Sequence, residues 1–134
     1  MDFRLELVPL PVTDPDRSLA FYTEGAGFVL DHDVRPGNGM RIIQLTPPGS
    51  ACSIVFGTGM GSLGGPVKNL HLVVADIEGA RRLLTGRGVD VSPIDDMGGV
   101  KYAYFEDPDS NSWALQEIPS LAGAGDPEAE ASSD

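Results

Sequence analysis

The chain has 134 residues with a formal net charge of −11, 41% hydrophobic and 22% charged residues, and one cysteine. This is the profile of one ordinary globular domain, and its negative balance argues against nucleic acid or an anionic membrane surface as partner. Cys52 alone excludes an internal disulfide framework and a multi-cysteine zinc site, and its apolar neighbours mark it as a packed thiol rather than a nucleophile.

The first element is the strand-like LVPLPVTD at 7–14, with Val8, Leu10 and Val12 at alternate positions. No basic segment followed by an apolar run precedes it, so the expected location is the cytoplasm. Asp14 is suited to N-cap a helix and Pro15 to its first turn; the amphipathic segment that follows stops at Gly25 and Gly27. Three strands are expected next, FVLDHDV (28–34), MRIIQLTP (40–47) and ACSIVF (51–56). GTGMGSLGGP (57–66) then contains G-x-G-x-x-G, the phosphate-cradling fingerprint of dinucleotide sites. That motif must open directly into a helix, and here it runs through Gly65-Pro66 into the strand NLHLVVAD (69–76). The stretch is therefore read as a flexible linker.

The second half repeats the first. Asp76 caps a segment with Ile77, Ala80, Leu83 and Leu84 expected on one side, ending at Gly86 and Gly88. VDVSPI (89–94), KYAYFED (101–107) and SWALQEI (112–118) supply three more strands. Residues 40–57 align without a gap on residues 100–117, turn over turn at Pro48 and Pro108. The fold class is α+β: a single domain over 1–118, made of two tandem βαβββ modules at about 3–57 and 68–118, joined by a glycine-rich linker at 57–67. From Pro119 the chain is small, acidic and non-periodic, and is expected to be a disordered tail. Four of the acids lie in it, leaving −7 of the −11 for residues 1–118.

Three stretches now carry a resemblance: VTDPDRSLAFYTEGAGF (12–28), VADIEGARRLL (74–84) and FEDPDSNSWALQE (105–117). Together they resemble the vicinal oxygen chelate superfamily of glyoxalase I, bleomycin-resistance proteins and extradiol dioxygenases, over residues 5–118. The resemblance implies sheets curled into a cup with helices outside, and commonly a homodimer whose cups draw modules from both partners. In the family's metal enzymes four positions on the first and last strands of each module hold a divalent ion. Those positions hold Leu7, Ile54, Asn69 and Ala114 here. Three hydrocarbons and one amide do not make a transition-metal site, so no metal and no cofactor are expected.

Strand parity sorts the remaining residues. Val8, Leu10, Val12, Leu70, Leu72, Val74, Trp113 and Leu115 fall on the helix side. Leu7, Pro9, Ile42, Gln44, Ile54, Phe56, Asn69, His71, Val73, Tyr102, Tyr104, Ala114 and Gln116 fall inward. The cavity so lined is apolar and aromatic with a few convergent polar groups, which suits a small organic ligand, aromatic or cationic. Three functions compete. One is a metal-free binding protein of sequestration or resistance type. Another is a metal-free enzyme using His71 for proton transfer on a small carbonyl or natural-product substrate. The last is a metal-dependent lyase, isomerase or dioxygenase with displaced ligands, for which His32 and His71 are the available histidines.

Overall fold

In the computed structural model, which describes residues 1–119, two helices start in the same way. Asp14 (φ −135°, ψ 96°) precedes α1, Pro15–Ala20, and its carboxylate accepts the amide of Arg17. Asp76 (φ −137°, ψ 94°) precedes α2, Ile77–Gly86, and accepts the amide of Gly79. Both satisfy an amide that the first helical turn leaves without a partner. Past Ala20, α1 widens into a π turn over Phe21–Gly25, which places Tyr22 wholly in the core.

The chain divides into two units: residues 1–67 with 107–111, and residues 68–106 with 112 onward. In the first, β1 (Leu7–Pro9), β2 (Val29–Gly37), β3 (Met40–Thr46) and β4 (Ser53–Thr58) make a sheet ordered β1-β4-β3-β2. Only the β1–β4 pair is parallel. In the second, β5 (Leu70–Val73), β6 (Asp95–Met97), β7 (Val100–Glu106) and β8 (Ser112–Glu117) repeat that order as β5-β8-β7-β6, with β5–β8 parallel. This is an α+β fold of two tandem modules.

Each sheet buries one face under its helical segment. Leu10, Tyr22, Phe28, Ile43, Leu45, Ile54 and Phe56 are buried in the first unit. Ile77, Leu84, Val89, Val91, Ala103, Phe105, Trp113 and Leu115 are buried in the second, where the Phe105 and Trp113 rings stack at 6.2 Å. Each of these side chains larger than alanine contributes roughly 1.5–3 kcal/mol.

Two expectations about the second module need correction. Residues 89–94 are not a strand: Pro93 lacks an amide, and the ladder with β7 starts only at Asp95. Ser92 alone bridges, exchanging backbone and hydroxyl bonds with Tyr104. Leu83 is 54% exposed. At about 100° per residue it lies roughly 100–120° from the buried stripe of Ile77 and Leu84, and Ala80 is half-buried beside that stripe. The expected disordered tail, residues 119–134, lies outside the described residues except for Pro119.

In the first unit the turn DPDSN ties three connections together. Asp107 is buried, and its carboxylate accepts four hydrogen bonds: Tyr22 Oη at 2.7 Å, Asn111 Nδ2 at 2.8 Å, and the amides of Asp109 and Asn111 at 2.8 and 2.9 Å. Asn111 also donates to the carbonyl of Pro11 and accepts from the amide of Val67. Asp109 accepts from both the amide and the hydroxyl of Thr13. In the same unit Arg41 is buried, with its guanidinium bidentate on Asp33 and a third bond to Asp16 of α1 at 2.7 Å. Those bonds raise the Arg41 pKa and hold the Asp33 carboxyl below the usual carboxylate range.

Candidate functional site

The face of the second sheet that α2 leaves uncovered carries the polar and aromatic side chains. In register, His71 pairs with Ala114 and Ala114 with Tyr104. Val73 pairs with Gln116, Gln116 with Tyr102, and Tyr102 with Asp95. Paired residues share a face, so these line one surface. On it lies a hollow of about 460 Å³ bounded by Asn69, His71, Met97, Val100, Tyr102 and Tyr104.

The hollow is ordered from beneath. Asn69 adopts the left-handed region (φ 60°), which asparagine tolerates, as its amide bonds Ser112 Oγ at 2.7 Å. Its carbonyl is thereby presented to His71 Nδ1, also at 2.7 Å. With Nδ1 donating, the neutral imidazole keeps Nε2 as an acceptor. The His71 ring meets Tyr102 edge to face at 6.0 Å. The rings of Tyr102 and Tyr104 lie parallel within 4°, centroids 6.3 Å apart. Gln116 Nε2 donates to Tyr102 Oη at 3.0 Å, fixing the phenol from the neighbouring strand. Tyr104 is 40% exposed and Met97 58% exposed. The result is a shallow surface of parallel aromatic faces with a few fixed polar atoms.

Of the residues singled out from sequence, Asn69, His71, Tyr102 and Tyr104 come together here, with Gln116 and Ala114 beside them. Leu7 and Gln44 lie on the uncovered face of the first unit's own sheet. There Gln44 Nε2 donates to Asp31, as does the hydroxyl of Thr46. Ile54 and Phe56 are misplaced. Ile54 pairs with Leu45 and Phe56 with Ile43, on the buried helix side, and the Phe56 ring lies 5.8 Å from that of Tyr22. The gapless alignment of the halves fails at the turn: residues 46–53 separate the paired Leu45 and Ile54, whereas 106–112 separate Phe105 and Trp113. The extra residue reverses parity, so Ser53 and Val55 take the uncovered face. Sequence reading also passed over Met97 and Val100. The Gly98-Gly99 pair between them, a two-residue hairpin turn, signals that they sit opposite each other.

This register moves one family ligand position. Val55 pairs with Pro9 and Gln44 as Ala114 pairs with His71 and Tyr104. The four positions thus hold Leu7, Val55, Asn69 and Ala114, a donor set that does not fit a divalent ion. His32 is exposed on β2 opposite Gln44, and among the described residues no three His, Cys, Asp or Glu side chains group as a metal site requires.

Residues 4–115 match the family model described as the Glyoxalase/Bleomycin resistance protein/Dioxygenase superfamily. The chain belongs to this superfamily. Among solved members of the fold, TnmS3, an antibiotic binding protein from Streptomyces sp. CB03234, is 30% identical, with a TM-score of 0.76 over 87% of this chain and 97% of that one. A superfamily member from Sphaerobacter thermophilus DSM 20745 is 28% identical, with a TM-score of 0.74 over 87% of this chain and 98% of that one. A glyoxalase/bleomycin resistance protein from Streptomyces sp. CB03234 is 31% identical, with a TM-score of 0.71 over 84% of this chain and 98% of that one. No curated protein sequence matches this superfamily member. Among its described residues no helix is long and apolar enough to cross a membrane.

Proposed function

We propose that this superfamily member is a metal-independent binding protein for a small, flat organic molecule, held on the uncovered face of the second module. The observation that carries the reading is the parallel pair Tyr102 and Tyr104 with His71 edge-on, in a hollow whose family ligand positions hold Asn69 and Ala114. Two parallel rings align a planar guest, and each aromatic contact adds about 0.5–1.5 kcal/mol beyond the area it buries. The net charge of −11 favours a cationic guest over an anionic one. The antibiotic binding protein TnmS3, 30% identical, supports a sequestering role and an antibiotic-like ligand. A homodimer is part of the proposal. Leu7, Val34, Val73 and Met97 leave apolar area exposed on the uncovered faces, and Phe3 and Leu5 do so beside β1.

The test is a fluorescence titration with proflavine, a planar aromatic cation, before and after exhaustive dialysis against a chelator. Saturable binding that survives dialysis and weakens about tenfold in Tyr104→Ala supports the proposal. Retention of one zinc or nickel ion per chain, with probe binding lost on its removal, overturns it.

One observation favours a second reading. The bond from His71 Nδ1 to the Asn69 carbonyl aims the other ring nitrogen as a base, which suits proton transfer on a bound carbonyl compound. His71→Gln separates the two: an enzyme loses turnover, whereas a sequestering protein keeps proflavine binding within a few-fold.

A further inference from the structure

The glycine-rich stretch that resembles a nucleotide fingerprint remains without a role, and it forms one wall of a hollow in the first unit. This hollow, about 590 Å³, lies beyond the carboxyl ends of β1 and β4. These two strands are parallel neighbours from which the chain leaves in different directions, β1 into α1 and β4 into the glycine stretch. Diverging connections at adjacent parallel strand ends leave a crevice, the kind of place where sheet proteins take ligands.

The second module shows how such a crevice is closed. There Glu117, the last residue of β8, accepts the amide of Ile77 at the start of α2 at 2.9 Å. The register identifies the first-module counterparts. Arg41 pairs with Thr58 as Lys101 pairs with Glu117, and Pro15 follows its capping aspartate as Ile77 follows Asp76. Thr58 is too short to span the gap, and Pro15 has no amide to offer. Gly59, Gly61 and Gly64, all with φ between 77° and 83°, let the loop turn repeatedly as it lines the hollow.

We infer that this crevice is a second small-molecule site, separate from the tyrosine face, and that its ligand is neutral and largely hydrocarbon. Leu10, Val12, Pro15, Met60, Leu63 and Pro66 supply the walls, and no Lys, Arg or His lines them. The one charged group, Asp109, already accepts the amide and the hydroxyl of Thr13, at 3.2 and 2.7 Å. An anionic guest would lose hydration here and meet only a like charge, and a cation would have to compete for a carboxylate already held by two Thr13 donors. An apolar guest gains by leaving water. The inference does not depend on the reading of the tyrosine face.

The experiment is a residue-resolved amide NMR titration of the whole chain with 2-naphthol, alongside its charged relatives 2-naphthoate and 2-naphthylmethylammonium. The neutral probe is expected to shift the amides of Gly59, Gly61 and Gly64 saturably, and each charged probe to bind there at least tenfold more weakly. Pro15→Ile combined with Thr58→Glu copies the closure of the second module, and Leu63→Trp adds bulk at an exposed rim position where folding is not at stake. Either change should weaken the glycine-loop response at least tenfold and leave the responses of His71 and Tyr102 as they were. Glycine amides that do not saturate, charged probes that bind equally well, or a Leu63→Trp protein that responds as the native one does would each overturn the inference.

Discussion

Replacing Asp107 by Asn tests the buried hub of the first unit. The native carboxylate accepts two hydrogen bonds on each oxygen, at 2.7 and 2.8 Å on one and at 2.8 and 2.9 Å on the other. An amide has a single acceptor oxygen, so either orientation sets its NH₂ against two donors. Hydrogen bonds to a buried charge contribute about 1.5–3 kcal/mol each, and a buried donor left alone costs about 1–3 kcal/mol. Two such losses, partly relieved if the Tyr22 hydroxyl turns to accept from the new NH₂, give about 4 kcal/mol. That is a large share of the 5–15 kcal/mol typical of a domain. Urea unfolding followed by circular dichroism and by fluorescence of Trp113, the sole tryptophan, would measure it. The expected fall in Tm is on the order of 10–20 °C. Tyr22→Phe alone removes one of the four bonds and should cost about 1.5–2 kcal/mol. The double variant should fall short of the sum by about 1 kcal/mol, because the second change strikes a bond already lost. A loss below about 1 kcal/mol for Asp107→Asn, or strict additivity with Tyr22→Phe, would refute the account of this turn.

Asp33→Asn should lower stability by about 1–2 kcal/mol at neutral pH, since Arg41 is 8% exposed and keeps only Asp16 as a charged partner. The native Asp33 pKa lies below its unfolded value, so its contribution is present above about pH 4 and fades as pH falls through the folded pKa. The two stability curves should therefore converge in acid, and parallel urea midpoints from pH 7 to pH 2 would contradict the ion pair. Ser18→Ala should be neutral or stabilising by up to about 1 kcal/mol in the same assay. The Ser18 hydroxyl is fully buried without a hydrogen-bond partner, and alanine is the better helix former. Gly57→Ala should destabilise by more than about 2 kcal/mol or abolish folding, because its methyl would collide with the Arg41 carbonyl on the adjacent strand. A folded Gly57→Ala protein of native Tm would show that β3 and β4 separate there at little cost.

How far the sequence could be read depends on one turn. The capping aspartates 14 and 76, the two-fold repeat and the polar face of the second sheet follow from period-two and period-3.6 patterns that the packing respects. The first sheet was inverted at β4, since a single extra residue between β3 and β4 exchanges Phe56 for Val55 and leaves no mark in composition. β4 is buried on both faces from Ser53 to Phe56, so it lacks the alternation that would have reported the slip. The hub at Asp107 was visible only as a family turn. Tyr22, Thr13 and Val67, which bond Asp107, Asp109 and Asn111 of this turn, lie far from it in sequence, and no local periodicity links them.

The five residues 107–111 are counted with the first unit although the chain reaches them from the second. A polypeptide cut at the glycine-rich stretch would strand the hydroxyls of Tyr22 and Thr13 without the acceptors they use here. The corresponding stretch of the first half, Pro47 to Ala51, carries neither an acid nor an amide side chain to replace them. The duplication that is plain in the topology has therefore become irreversible, for the halves share a clasp that only one of them owns.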